Sequence, residues 1–241
     1  MTTLIIARYN EDIEWLVKYK KYKIIIYNKG TPLLNNHDFS IKKLPNLGRE
    51  SHTWLTHIVN NYDKLDEFNI FLQGRIDDLN CMAFKNPDDY LIGLKLHGFS
   101  VSRLGLLGPF HWSKNVGIEK NQKYKMQWDK GEILSSNLGF RKFAKRIFPR
   151  IPLFVATSYG GCFGVSKELI RNYEISFYKN LLEYVSKDSN PIEGHFLERL
   201  WCYMFTKNLF LYQSCKDVIK TKLERSFFQN FLKTLNFSKK N

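Results

Sequence analysis

Cysteine is scarce: four residues, at positions 81, 162, 202 and 215, in a chain of 241. None forms a C-x-x-C pair or falls at zinc-ligand spacing, so neither a disulfide framework nor a structural zinc site is expected. The four read as reduced, mostly buried thiols of a cytosolic protein. No apolar run approaches the ~18–20 residues of a membrane span. The opening "MTTLIIARYNEDIEWL" has too short an apolar run, and acids too early, for a signal peptide. The expected location is therefore cytoplasmic, with any membrane contact peripheral and on the inner face. Also missing are a G-x-S-x-G elbow, a phosphate-binding Walker loop and a G-x-G-x-x-G fingerprint. No internal repeat or low-complexity segment occurs. Acids are outnumbered, 23 against 37 Lys plus Arg, which leaves a formal charge of +14. Such an excess suits a polyanionic partner, whether nucleic acid, an anionic membrane face or phosphate-bearing substrates, and says nothing about fold.

What is abundant is apolar and aromatic. Hydrophobic residues make up 44% of the chain, with 19 Phe, 13 Tyr and 5 Trp. A substantial core follows, and global disorder is excluded. The length suits one large domain. Charge is uneven: "RKFAKRIFPR" (141–150) holds five cations and no acid.

"TLIIA" (3–7), "YKIIIYNKG" (22–30) and "FNIFLQG" (68–74) read as buried strands. Between them, "NEDIEWLVKYK" carries Ile13, Leu16 and Val17 at helical spacing. "LPNLGRESHTWLTHIVNNYDKL" carries Trp54, Leu55, Ile58, Val59 and Tyr62 on one helical stripe. Strands alternating with helices imply parallel pairing through crossovers. The fold expected is therefore α/β: an open, mostly parallel, Rossmann-like sheet with flanking helices. Further helices are expected over 88–99, after Ser166, over "SFYKNLLEYVS" and over 192–205. Residues 111–150 show no clear periodicity and read as an insertion or a loop over the site. "LFLY" (209–212) suggests a last strand. Residues 213–241 suggest a basic amphipathic helix or tail, leaving one domain over 1–212.

Ligands of open α/β sheets bind outside the carboxyl ends of the strands. That places Arg8, Tyr9, Asn10 and Glu11, then Asn28, Lys29 and Gly30, then Gln73 and Gly74 along one rim. Tyr9 could stack on a base and Asn10 bond it, or Asn10 could cap a helix. Lys29 could meet a phosphate or lie in a plain turn. Arg49, Glu50 and His52 open a helix, where an anion or an ion pair fits. Asp77 and Asp78, just past the third strand, could hold a divalent ion or cap a turn. In "IEGHFLERLW", Glu198 flanks an apolar stripe, as a general base with a raised pKa would, with Glu193 and His195 as alternatives. A surface acid paired with Arg199 or Lys207 is the plain alternative.

"IIARYNEDIEWL", "IIIYNKG", "LPNLGRESHTWLTHIVNNYDKL", "FNIFLQG", "GGCFGVSKELIRN" and "ERLWCYMF" occur in this order. Together they resemble the domain-of-unknown-function family 3431, over about residues 3–80 and 157–206. The block N-x-G-R-E-x-H-T is its most distinctive part. At longer range the layout resembles GT-A-type glycosyltransferases. In these, a "YN" loop contacts a nucleotide, a third strand ends in an acidic D-x-D motif, and a Gly-rich strand precedes a helix with the catalytic carboxylate. Two features depart from it: the second strand ends in "YNKG" without an acid, and Asp77–Asp78 lack the D-x-D spacing.

The resemblance implies transfer of a sugar from a nucleotide-sugar donor to a hydroxyl of a glycan or lipid-linked glycan of capsule or lipopolysaccharide type. Tyr9, Asn10 and Lys29 would hold the nucleotide, and Arg8, Glu11, Asn28, Arg49, Glu50, His52, Gln73, Gly74, Gly160 and Gly161 would complete the substrate- and nucleotide-binding rim. Glu198 would take the acceptor proton if the reaction inverts. Asp77 and Asp78 would hold Mn²⁺ or Mg²⁺, unless Lys29 or Arg49 neutralises the diphosphate instead. The basic C-terminus would rest on an anionic membrane surface or dock as a helix on the domain core. The rival readings are a non-catalytic module binding glycan or nucleic acid, and another phosphate-handling transferase on this scaffold. Clustered Arg with interleaved Phe permits nucleic-acid binding, but no nucleic-acid-binding motif is present.

Overall fold

A computed structural model describes residues 1–33, 39–76, 84–102, 104–107, 122–133, 138–152, 155–158 and 160–206. Three strands, β1 (Thr2–Arg8), β2 (Lys23–Asn28) and β4 (Phe68–Gln73), are those the sequence marks, and they pair in parallel. Edge strand β3 (Ser40–Lys43) joins β2 in parallel. On the other side lie β8 (Phe163–Ser166), antiparallel to β4, and β5 (Phe99–Val101), antiparallel to β8. The order of this mostly parallel, six-stranded sheet is β3-β2-β1-β4-β8-β5. A separate hairpin pairs β6 (Leu104–Leu107) with β7 (Val155–Ser158).

The central strands are apolar on both faces because both are covered. Along β1, Ile5 joins one core cluster, while Leu4 and Ile6 join the other, as the two-residue period of a strand requires. The first cluster packs the sheet against α1 (Arg49–Asn61), α4 (Phe140–Ile147), α6 (Ile175–Val185) and α7 (Ile192–Thr206). The second lies under a 3₁₀ helix (Glu14–Tyr19) and α2 (Leu91–His97). Two further α-helices are α3 (Gln122–Asp129) and α5 (Lys167–Arg171).

Several expectations change in detail. Residues 14–19 form a 3₁₀ helix rather than an α-helix. Ile13, Leu16 and Tyr19 recur every third residue, the spacing that eclipses in a 3₁₀ turn. The helix near 88–99 starts as a 3₁₀ turn (Pro87–Tyr90), becomes α2, and stops at Gly98 in the left-handed region. Residues 111–150 are not uniformly aperiodic. Phe140, Phe143 and Ala144 of α4 are fully buried against the main core. Two turns of helix are too short a window for that pattern to stand out among four cations. Edge strand β3, "SIKK", was missed because exposed edge strands carry charge rather than apolar alternation. Cys162 and Cys202 are buried, as read. Asp77–Asp78, Cys81, Cys215, the strand at 209–212 and the helix at 213–241 lie outside the described residues. Among the described residues no helix is long and apolar enough to cross a membrane.

Candidate functional site

The carboxyl ends of β1, β2 and β4 form the rim expected of them, and the first two loops are stitched by Arg8. This buried guanidinium donates to Asn28 Oδ1 (2.8 Å) and to the carbonyls of Glu11, Tyr9 and Thr31. Asn28 also donates to Thr31 O (2.8 Å). Asn10 does not cap a helix. Its Oδ1 accepts from the backbone N and the hydroxyl of Thr31 (2.9 and 3.0 Å). A side chain at Gly30 would put its Cβ 1.5 Å from Tyr9 O, so only glycine permits this approach of the two loops. Arg8, Asn10 and Asn28 thus build the wall, while Tyr9 is half exposed above it. Glu11 accepts from Tyr9 N (2.6 Å) and sits over Gly74, whose carbonyl accepts from Trp15 Nε1 (2.8 Å).

The second part of the rim gathers around the start of α1. Gly48 and Arg49 both take left-handed conformations, φ 56° and 52°. Glycine does so freely, and at Gly48 a Cβ would lie 2.1 Å from Val185 O. Arg49 does so at a cost of about 1–2 kcal/mol, and it is the one non-glycine with positive φ among the described residues. Four residues hold it there. The Lys29 ammonium donates to the carbonyls of Leu47 (2.5 Å) and Arg49. Arg49 N donates to Ser189 O (3.1 Å). The Arg49 guanidinium meets Glu50 (Nε–Oε2 3.5 Å) and His195 Nε2 (3.1 Å). His195 Nε2 also lies 3.2 Å from Asn190 Oδ1, and the ring's Nδ1 has no partner among the described residues.

Opposite stands the loop into β8. Because β8 runs antiparallel to β4, its start lies beside the carboxyl end of β4. Gln73 Nε2 donates to Gly160 O (2.9 Å), and Trp54 Nε1 donates to Gly161 O (2.9 Å). Gly160 N donates to Glu198 Oε1 (2.7 Å), and Arg199 Nη1 lies 3.3 Å from Glu198 Oε2. Glu50 packs against Gly161. Glu198 is 9% exposed, so the surface-acid alternative fails on burial, although the pairing with Arg199 is real. Glu193, also on α7, is half-buried in its first turn.

The cluster therefore brings together Lys29, Arg49, Glu50, Gln73, Gly160, Gly161, His195 and Glu198 from five separate stretches of chain. Burial pulls the Lys29 ammonium down to about 8, with Glu50 opposing. Burial also works against the Arg49 charge, but Glu50 and Glu198 outweigh it and hold that charge firmly in place. His52 is lowered to about 4 by burial and then by Lys29. His195 is lowered to about 2 by burial, then by Arg49 and Arg199. Both imidazoles are therefore neutral at pH 7.

Sequence reasoning missed Trp54 as a clamp on Gly161, and it missed Tyr124. The Tyr124 ring lies edge-on to His195 at 5.4 Å between centroids. Trp54 had only its place in a helical stripe, and Tyr124 lies on a helix whose sequence carries no periodic signal. Among the described residues no group of three His, Cys, Asp or Glu could hold a metal. Glu50 and Glu198 are already engaged by arginine and backbone N–H, so the described residues offer no donor set for Mn²⁺ or Mg²⁺.

A family model described as a protein of unknown function, DUF3431, matches residues 4–221. The match takes in the middle segment and the start of the tail, which the motif resemblance had left out. No curated protein and no solved structure matches.

Proposed function

The chain belongs to the DUF3431 family, and we propose that it is a glycosyltransferase acting on a nucleotide-sugar donor through the Arg49–Glu198 cluster. The observation that carries this reading is the strained Arg49. Unfavourable backbone conformations persist where surrounding structure over-determines them, and they gather at ligand clamps. Here Lys29, Ser189, Glu50 and His195 all act to keep one guanidinium in place. A guanidinium held at the carboxyl ends of parallel strands is suited to a diphosphate, which it meets with two parallel N–H bonds. Further support comes from the parts that converge on this rim: the Tyr9–Asn10 loop, the Gly160–Gly161 loop before β8, and α7 with its carboxylate. They follow the chain order that the GT-A resemblance implies.

In an inverting transfer the acceptor hydroxyl oxygen bonds to the anomeric carbon of the sugar. The bond from that carbon to the diphosphate oxygen breaks, and the nucleoside diphosphate leaves with the electron pair. Arg49 offsets the charge gained by the leaving group. Glu198 takes the acceptor proton. Gly160 N–H and Arg199 occupy two of the roughly four acceptor positions of its carboxylate, so lone pairs remain for a proton. Lys29 serves as a positioning residue, because its ammonium is already bound to two carbonyls. Tyr9, half exposed on the rim, would stack on the nucleobase. The acceptor in this reading is a hydroxyl of a cell-surface glycan.

The test is a melting-point screen of nucleoside diphosphates and nucleotide-sugars, with and without Mn²⁺ or Mg²⁺. A ligand present at a hundred times its Kd stabilises the native state by about 2.7 kcal/mol. In a domain of this size that raises the midpoint by roughly 5–10 °C. A screen in which no nucleotide moves the midpoint removes the proposal.

A further inference from the structure

The Arg49 site leaves a strongly basic helix face unexplained. On α4, Phe140, Phe143 and Ala144 are buried, with Phe140 and Phe143 packed on Phe196 of α7 at 5.3 and 5.5 Å between centroids. The other side of the helix carries Arg141, Lys142, Lys145 and Arg146, all exposed, and the exposed Arg150 follows. None of these five has an ion-pair partner among the described residues. Arg141 with Lys145, and Lys142 with Arg146, are like charges four residues apart, an arrangement that destabilises a helix. Beside this face, between α4 and α6, an open groove is lined by Arg146, Ile147, Phe177, Tyr184, Glu183 and Lys187.

We propose that the cationic face of α4 is a docking surface for an anionic lipid bilayer, through Arg141, Lys142, Lys145, Arg146 and Arg150. Charge complementarity carries the proposal: five cations and no acid in ten residues, on a helix whose apolar side is fixed in the core. Lipid headgroups would relieve the repulsion between these cations without requiring a shaped pocket, since a charged bilayer attracts basic residues individually. Single-stranded nucleic acid is the weaker partner here. Its usual platform is exposed rings between the cations, and Phe140, Phe143 and Phe148 are at most 4% exposed. The contact is peripheral, by headgroup attraction rather than insertion, because the apolar face of α4 is occupied. The inference does not depend on the glycosyltransferase reading and adds a second anchor to the one expected at 213–241.

The experiment is co-sedimentation of the full chain with vesicles of phosphatidylcholine, with and without phosphatidylserine, over a range of salt concentrations. The chain is expected to bind only the anionic vesicles and to be released as salt screens the attraction. Replacing Arg141, Lys142, Lys145 and Arg146 together by Gln is expected to weaken that binding by at least about tenfold, leaving the melting point unchanged or raised. The single substitution Arg146→Glu is expected to weaken it in the same direction, and it serves if the quadruple variant does not fold. Undiminished vesicle binding in these variants would overturn the proposal. So would equal binding to neutral vesicles, or binding to a single-stranded oligonucleotide with none to vesicles.

Discussion

Replacing Lys29 by Met keeps the buried stem and removes the ammonium that holds Leu47 O and Arg49 O. At pH 7 two effects oppose each other. Each hydrogen bond from a charged group is worth about 1.5–3 kcal/mol, and both are lost. Burial of the ammonium, however, lowers its pKa from 10.5 to about 8, a penalty of about 3 kcal/mol that Met does not carry. The two variants should therefore differ little at pH 7. The sharper signal is the pH dependence. Between about pH 8 and 10.5 the unfolded chain holds the Lys29 proton and the folded chain does not. Stability conferred by the unfolded state binding more protons rises with pH. The penalty is thus present below pH 8 and is relieved as pH rises toward 10.5. Wild type should gain on Lys29→Met by about 2–3 kcal/mol between pH 7.5 and 10. Other groups that titrate there, such as Tyr22 and Tyr27, both raised to about 12, are common to the two chains and cancel. Urea unfolding at a series of pH values reads the difference. Curves that stay parallel, or a gap that moves the opposite way, would refute a desolvated Lys29 ammonium, half-buried at the root of Arg49.

The remaining predictions concern the opposite wall and the buried imidazoles. Glu198→Gln keeps an oxygen that can accept from Gly160 N–H but takes the counter-charge from buried Arg199, so its melting point should fall while the protein stays folded and nucleotide affinity stays near wild type. Sugar transfer should fall by roughly 10²–10⁴-fold, and unchanged transfer would take the base role from Glu198. His52, His57 and His195 are lowered from 6.5 to about 4, 3 and 2, each first by burial. Between these values and 6.5 the unfolded state binds protons that the folded state does not, so stability is lost as pH falls. The loss reaches about 2 kcal/mol per fully buried imidazole at pH 5. In His195→Gln, whose amide oxygen can accept from Arg49, the difference between urea midpoints at pH 7 and pH 5 should shrink by one such step. An undiminished difference would mean that His195 is not a buried neutral ring.

Much of the frame was legible because it rests on short-range pattern. "TLIIA", "KIIIYN" and "FNIFLQ" are apolar on both faces, and such runs become central strands wherever helices cover both sides. Ser166 announced the helix that it caps, its hydroxyl accepting from Leu169 N (3.3 Å). What the sequence hid were roles set by long-range contact. Arg8 and Lys29 look like ligand-binding cations on a rim, yet both face backbone carbonyls brought to them by other loops. The left-handed Arg49 has no signal in residue type, since its conformation is imposed by Lys29, Ser189 and His195. Trp54 reaches the cluster from a helix whose pattern speaks only of packing, and Tyr124 from one that shows no pattern. The amphipathic turns of α4 were obscured by their charges.

The central claim is that Arg49 is held strained in order to bind a diphosphate. Calorimetric titration of the best nucleoside diphosphate from the melting screen into wild type and Arg49→Gln tests it most directly. The account predicts saturable binding to wild type and a loss of about 1.5–3 kcal/mol, roughly ten- to a hundredfold in Kd, in the variant. Equal affinity in the two proteins, with both folded, would contradict it.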